Sequence, residues 1–372
     1  KNLNMMATRC VTRIGNVSSR RFGVHSWRRG PSGYMGSGSG SSDENSNPQV
    51  LVTGACGQIG MELIPKMRAM WGEGNVIASD VKSPSRAYLE SGPFCYLDVT
   101  DKDQMARVIL ENGVDTVIHL ASMLSATGEK YPQLALKVNN QGLENVLELA
   151  RINNLNVFAP STIAVFGPST PKDQTPDDTV MRPTTMYGVT KVFGELLGEY
   201  YHRRFGVNYR SLRYPGVISC EALPGGGTTD YAVEIYYEAI KKGKYTCFLK
   251  EDTKMPMMYM PDLLDGTLAL MNADEKCLNQ RVYNMGSMSF TPAQLTQSIQ
   301  KFIPGFTIEY APDFRQEIAD TWPRSLDDSK ARSEWGYNPS FDVDAMTEHM
   351  LTHLSTKLRS EVSEDVASKF FF

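Results

Sequence analysis

No run of roughly eighteen or more apolar residues occurs in this 372-residue sequence, so no membrane span is expected. Cysteine is sparse: Cys10, Cys56, Cys95, Cys220, Cys247 and Cys277 are scattered, with no CxxC pair. Reduced thiols are expected, and neither zinc nor any other metal. Acid is missing from the first 42 residues, where Lys1 and six arginines (Arg9, Arg13, Arg20, Arg21, Arg28, Arg29) set +7 against a whole-chain charge of −4, so the remainder carries −11. That acidic body does not suit nucleic acid, which needs a basic face. No internal repeat is visible. The Arg- and Ser-rich, acid-free start has the composition of a mitochondrial presequence, with Gly36–Ser42 as a flexible linker, so a mitochondrial matrix address is expected. A disordered basic tail is the alternative, with Met5 or Met6 as the start.

What is present supports a sizeable core, at 41% hydrophobic residues, in one large domain or two intimate lobes. Short apolar strands are expected at 49–53, 75–79, 94–97, 116–120, 157–160 and 209–213. Helices are expected between them, at 58–71, 101–112, about 131–153 and 187–205. Strands alternating with helices over short connections indicate an α/β fold, a doubly wound parallel sheet. After Pro215 the pattern loosens, with helices at 229–241 and 292–303 and a strand then helix over 255–272. A smaller C-terminal substrate-binding lobe is expected there. The division expected is 1–47 presequence and linker, 48–220 dinucleotide-binding domain, 221–355 substrate lobe with some segments returning to the first domain, and 356–372 a loose tail.

Gly54, Gly57 and Gly60 lie where the first strand turns into a helix. Glycine is needed where backbone must approach a pyrophosphate closely, and the helix start offers free N–H groups. A tight structural turn is the plainer reading. Asp80 ends the next strand, where a carboxylate can accept from ribose hydroxyls and repel a 2′-phosphate, which favours NAD over NADP; Lys82 and Arg86 temper that preference. Asp98 and Val99 end the third strand and either border adenine or, for Asp98, cap the following helix. Cys56 is read as an oxidisable thiol or as a small residue at a tight turn.

Tyr187 and Lys191 are four apart on one helix face. A free tyrosine titrates near about 10, so serving as a base at neutral pH requires a neighbouring cation. Thr162, ending the fifth strand, can donate to the substrate oxygen. In this order with the glycine loop, the set points to an alcohol proton leaving to Tyr187 while hydride leaves the same carbon for a nicotinamide. In isolation, Tyr187 and Lys191 would be read as a surface pair. His119 is read as a packed residue rather than a ligand, Arg213 as an ion-pair residue, and Met255, Met257, Met258 and Met260 as core rather than a copper site.

With these residues placed, residues 49–350 resemble the extended short-chain dehydrogenases/reductases, and within them the L-threonine 3-dehydrogenases of short-chain type. The resemblance rests on VTGACGQIG, HLASMLSATGE, PSTIAVFGPSTP, RPTTMYGVTK, LRYPGVIS, PGGGTTDYAVEIYY, PMMYMPD and ADTWP; GGGTTDYA and ADTWP are the most specific. It implies a Rossmann fold and NAD-dependent oxidation of L-threonine to 2-amino-3-oxobutyrate. A separate 2-amino-3-ketobutyrate CoA ligase would act next, and the chain would be a homodimer through the Tyr187 helix and its predecessor. It implies Tyr187, Lys191 and Thr162 as catalytic residues. For the cofactor it implies Gly54, Gly57, Gln58, Ile59, Gly60, Asp80, Asp98, Val99, Leu120, Ala121, Ser122, Asn139, Tyr187, Lys191, Tyr214 and Pro215. For the substrate it implies Ser125, Thr162, Tyr187, Thr228, Thr229, Asp230 and Trp322; an N-cap is the plainer reading of Thr228–Asp230. Rival readings are a nucleotide-sugar epimerase or dehydratase on the same scaffold, with Arg315 and Arg324 on a diphosphate, and a non-catalytic dinucleotide-binding protein.

Overall fold

The structure is a computed structural model and describes residues 47–223, 225 and 227–359. The basic segment 1–46 and the end of the expected tail, 360–372, lie outside the described residues. The strands are β1 (Val50–Thr53), β2 (Val76–Asp80), β3 (Phe94–Tyr96), β4 (Thr116–His119), β5 (Asn156–Phe158), β6 (Ser161–Thr162) and β7 (Asn208–Tyr214). They continue with β8 (Gly216–Ile218), β9 (Lys244–Cys247), β10 (Met255–Tyr259), β11 (Val282–Asn284), β12 (Met288–Phe290) and β13 (Thr307–Tyr310).

The large sheet runs β11-β7-β5-β4-β1-β2-β3, with β6 paired onto β7. All of its pairings are parallel. Every residue of β1, β2 and β4 is buried, as expected of parallel strands covered by helices on both faces. β1 lies between β2 and β4, with Val52 opposite Ala78 on one side and Ile118 on the other. The strand order therefore reverses at β1. A crevice opens between the carboxyl ends of β1 and β4, the place where such sheets take ligands.

The helix expected over about 131–153 is broken. Pro132–Ala135 is α-helical, Leu136–Gln141 forms a wider π turn, and α-helix resumes at Gly142–Asn153. The wide turn carries Asn139, which is buried and hydrogen-bonded to two neighbouring segments. The strand expected at 157–160 stops at Phe158, because Pro160 has no N–H for the ladder; the chain re-pairs as β6.

The late chain forms two small sheets, β12-β10-β8 and β13-β9, packed with helices Tyr231–Lys242, Pro292–Phe302 and Val343–Arg359. β10 is the seam. Strand alternation sends Met255, Met257 and Tyr259 into the core of this smaller lobe and Met258 into that of the large sheet, where Met260 follows it. The methionines are therefore core residues. The last helix runs to Arg359, past the expected start of a loose tail at 356. Among the described residues, no helix is long and apolar enough to cross a membrane.

Candidate active site

Gly54 follows β1 with φ +72°, and a Cβ on it would lie 2.5 Å from the Ala121 nitrogen. Only glycine lets the β1 and β4 ends meet this closely. Gly57 donates to the Gly54 carbonyl at 3.0 Å, and helix Gln58–Trp71 starts next with no side chain capping it. Gly57 and Gln58 are exposed and Ile59 half-buried, so the first N–H groups of the helix face open space. A Cβ on Gly60 would meet the Ala55 carbonyl at 2.6 Å. This backbone cradle fits a pyrophosphate.

Asp80 stands beside the cradle. Its Oδ2 accepts from the Cys56 nitrogen and its Oδ1 from the Lys82 nitrogen, each at 2.9 Å. The carboxylate is thus held in place at the end of β2, beside the glycine turn. Burial and Asp80 push the Cys56 thiol up, which favours its reading as a small turn residue over an oxidisable one. Asp98 is exposed and accepts from the Thr100 nitrogen and hydroxyl. The helix cap belongs instead to Asp101, which accepts from the Gln104 nitrogen at 2.9 Å. Val99 is buried against Gly142.

The β4 end lies across the crevice. The Leu120 nitrogen donates to the Thr53 carbonyl, and His119 Nδ1 pairs with the Thr53 hydroxyl at 2.9 Å. Burial, with Lys191 second, lowers the His119 pKa to about 3, so the ring is neutral and structural. Ser122 Oγ is buried without a hydrogen-bond partner. It lines a cavity of about 20 Å³ shared with Lys191 and Asn139. The Asn139 amide is already engaged with the Met123 backbone (2.7 and 3.1 Å) and the Thr190 hydroxyl (3.0 Å). Asn139 therefore ties the turn after β4 to the Tyr187 helix. Tyr214 is likewise engaged, its hydroxyl 2.6 Å from that of Thr267, and Pro215 is buried behind it.

Thr185 caps helix Met186–Phe205 by accepting from the Gly188 nitrogen at 3.1 Å. A Cβ on Gly188 would lie 2.2 Å from the Ala164 carbonyl, so the helix start sits directly on the chain after β6. Three consecutive residues there meet three positions of the helix. The Pro160 carbonyl accepts from Lys191 Nζ at 2.8 Å. Ser161 donates to Glu195. The Thr162 hydroxyl stands near enough to Tyr187 to oppose the effect of burial on its phenol. Lys191 Nζ lies 5.6 Å from the centre of the Tyr187 ring.

Burial pushes Tyr187 up to about 12, opposed by the Thr162 hydroxyl, and brings Lys191 down to about 8, opposed by Glu195. Sequence reasoning assigns Lys191 only part of the lowering that the phenol needs, with the positive nicotinamide ring adding more. In this geometry its ammonium serves the Pro160 carbonyl, and desolvation dominates. Glu195 is the residue that sequence reasoning passed over, although the spacing 187, 191, 195 marks one helix face. It holds Arg213 in a two-pronged ion pair at 2.9 and 2.8 Å, which bears out the ion-pair reading of Arg213.

Of the expected substrate residues, Ser125 opens helix Ser125–Lys130, which packs on Tyr187 through Gly128 and bonds the Met186 nitrogen through Glu129 at 2.6 Å. Thr228 is buried, and Thr229 reaches Gly216, just past Pro215. Asp230 precedes helix Tyr231–Lys242 without capping it by its side chain. Its carboxylate instead accepts from the Gly225 and Gly227 nitrogens at 2.7 and 2.8 Å, folding the glycine run back. Trp322 is buried in the apolar cluster that Tyr187 packs against, and Lys172 binds its carbonyl at 3.1 Å.

The NAD dependent epimerase/dehydratase family matches residues 50–286. An uncharacterized epimerase/dehydratase of Staphylococcus haemolyticus is 50% identical over 83% of this chain and 98% of its own length. L-threonine dehydrogenase from Phytophthora infestans is 62% identical over 83% of this chain and 100% of that one, with a TM-score of 0.81. The enzyme from Clostridium difficile is 50% identical over 84% and 99%, with a TM-score of 0.82. The curated relatives overturn the mitochondrial matrix expected from the basic segment: they are Staphylococcus proteins at 48–50% identity, from cells without that compartment. The cofactor is NAD, which the glycine cradle and Asp80 fit. With its parallel sheet, glycine cradle and matched span, this chain is an enzyme that belongs to the NAD dependent epimerase/dehydratase family.

Proposed function

We propose that this NAD-dependent dehydrogenase oxidises L-threonine at its hydroxyl-bearing carbon to 2-amino-3-oxobutyrate. The observation that carries this reading is the meeting of Pro160–Thr162 with the helix of Tyr187 and Lys191, on which helix Ser125–Lys130 packs through Gly128, while Tyr187 joins the apolar cluster that holds Trp322. Bound NAD supplies the hydride acceptor and a positive ring near the phenol. Tyr187 takes the alcohol proton, and Thr162 holds the same oxygen. Lys191, held on the Pro160 carbonyl, would favour the phenolate through its positive charge. Ser125 and the N–H groups of its helix suit the substrate carboxylate, Asp230 shapes the loop carrying Thr228 and Thr229, and Trp322 covers the methyl group. The names of the neighbouring structures support threonine as substrate.

The rival nucleotide-sugar reading needs arginines for a diphosphate. Arg315 is paired with Asp313 and stacked 3.1 Å from the Phe248 ring centre, and Arg324 is paired with Asp173. Both are already committed. The half-exposed Leu196 and Tyr200 on the Tyr187 helix support a homodimer through that helix. The β-keto acid product would pass to a CoA ligase.

The test is the purified full-length protein with NAD, assayed against L-threonine, L-serine, 3-hydroxybutyrate and UDP-galactose. NADH formation with L-threonine is expected. Interconversion of UDP-galactose without NADH release, or nucleotide binding with no turnover of any substrate, would overturn the proposal.

A further inference from the structure

The sequence spacing of cysteine and histidine suggested no metal, yet the fold gathers three ligand types that lie far apart in sequence. Cys220 and Glu221 follow β8, at the foot of the loop that carries Thr228 and Thr229. His353 projects from helix Val343–Arg359. Cys220 Sγ, a Glu221 carboxylate oxygen and a His353 ring nitrogen all lie within 4.8 Å of one another. We propose that Cys220, Glu221 and His353 form a three-ligand site for a thiophilic divalent cation, zinc foremost, with water in the fourth position.

Bond lengths of about 2.0–2.3 Å to a tetrahedral zinc put ligand atoms roughly 3.3–3.7 Å apart. Here the His353 Nε2–Glu221 Oε1 distance is 2.9 Å and the widest separation is at most 4.8 Å. Side-chain rotations suffice to bring all three into range. Both His353 and Glu221 are partly exposed, which leaves room for such a rotation. The division of labour on Glu221 is already made. Oε1 faces His353, while Oε2 lies 3.5 Å from Lys357 Nζ, which also donates to the Glu221 carbonyl at 3.1 Å. One carboxylate oxygen can therefore bind the ion while the other stays on the lysine.

The surroundings hold the sulfur in place. The Tyr259 hydroxyl lies 3.4 Å from Cys220 Sγ and 2.6 Å from His349 Nδ1. Such outer partners orient metal ligands. An open groove of about 350 Å³, lined by His349, Thr352, His353, Thr356 and Lys357, leads to the site. A thiolate, a carboxylate and a neutral imidazole balance a doubly charged ion. Burial pushes the Cys220 thiol up, so binding must release its proton to solvent. Hard ions such as Mg²⁺ do not drive that exchange, whereas zinc, cadmium and cobalt do.

The competing arrangement is the metal-free His353–Glu221–Lys357 cluster on the surface. A partly exposed ion pair of this kind contributes too little to exclude a bound ion.

The test is full-length protein, stripped with a chelator and titrated with Co²⁺ and then Zn²⁺. One equivalent of Co²⁺ should give a near-ultraviolet thiolate-to-cobalt band that Zn²⁺ bleaches and Mg²⁺ does not. His353→Ala, at a partly exposed position, and Cys220→Ser should each weaken binding by at least the roughly 10–100-fold typical of disturbing even an outer partner. Cys277→Ser, at the exposed thiol, should leave it unchanged. Absence of the band in the parent protein would overturn the site. So would a band that survives both ligand replacements, or one lost with Cys277. Because His353→Ala leaves Cys220 and the core intact, a fold defect in Cys220→Ser does not blunt the test.

Discussion

Glu195 receives both prongs of the Arg213 guanidinium, at 2.9 and 2.8 Å, one helical turn beyond Lys191. Both side chains are buried, at 3% and 5% exposure. Arg213 reaches on to the Asp177 carbonyl at 2.6 Å and to Asn284 Oδ1 at 3.2 Å, and Asn284 binds the Thr175 and Asp327 carbonyls. This chain of bonds joins the Tyr187 helix to the segments on either side of Trp322.

Removing one partner of a buried pair leaves the other charge uncompensated. Glu195→Gln should therefore destabilise the protein by about 3–5 kcal/mol, and Glu195→Gln combined with Arg213→Met should recover much of the loss. Urea unfolding of the two variants measures this. A single variant as stable as the parent would show that the pair contributes little.

Lys191 gives a pH signature. In the folded protein burial brings its pKa down to about 8, below the 10.5 of a free lysine. Between those values the unfolded chain binds more protons, so Lys191 makes stability rise with pH across that window and weighs against folding below it. Lys191→Met should abolish that rise, about 3 kcal/mol, in denaturant unfolding at graded pH. Parallel curves for parent and variant would contradict the buried, partly desolvated lysine.

Tyr187→Phe keeps the ring in its apolar cluster and loses only the hydroxyl. NAD affinity should stay nearly intact while turnover with L-threonine drops by on the order of a hundredfold or more, because the general base is gone. Steady-state kinetics with a fluorescence titration of NADH separate the two effects. Unaltered turnover would remove Tyr187 from the chemistry.

Asp80 anchors the Cys56 and Lys82 nitrogens, and the proposed NAD site would have it face the ribose hydroxyls. Asp80→Ser should weaken NAD and narrow its advantage over NADP, since the repulsion of a 2′-phosphate disappears. The ratio of kcat/KM for the two cofactors reports this, and an unchanged ratio would refute the ribose assignment.

The sequence alone determined the parallel α/β character of the large sheet and six of its eight strands, all but β6 and β11. Runs such as Val50–Thr53 and Thr116–His119 are buried on both faces and so read as strands whatever their neighbours. The glycines of the first turn were legible for a local reason: only their backbone freedom permits that geometry. Tyr187, Lys191 and Glu195 share a helix face by spacing alone. The tertiary structure decided what lies opposite that face. That the Pro160 carbonyl takes the lysine, Ser161 the glutamate and Thr162 the tyrosine depends on β6 pairing with β7, a contact between segments some fifty residues apart that no local pattern encodes. Of the late strands, β10 was expected at the start of 255–272; the others escaped the sequence because they are short and stabilised by partners distant in the chain, as β9 is by β13. The gathering of Cys220, Glu221 and His353 is the same case: separation along the chain hides what packing brings within reach.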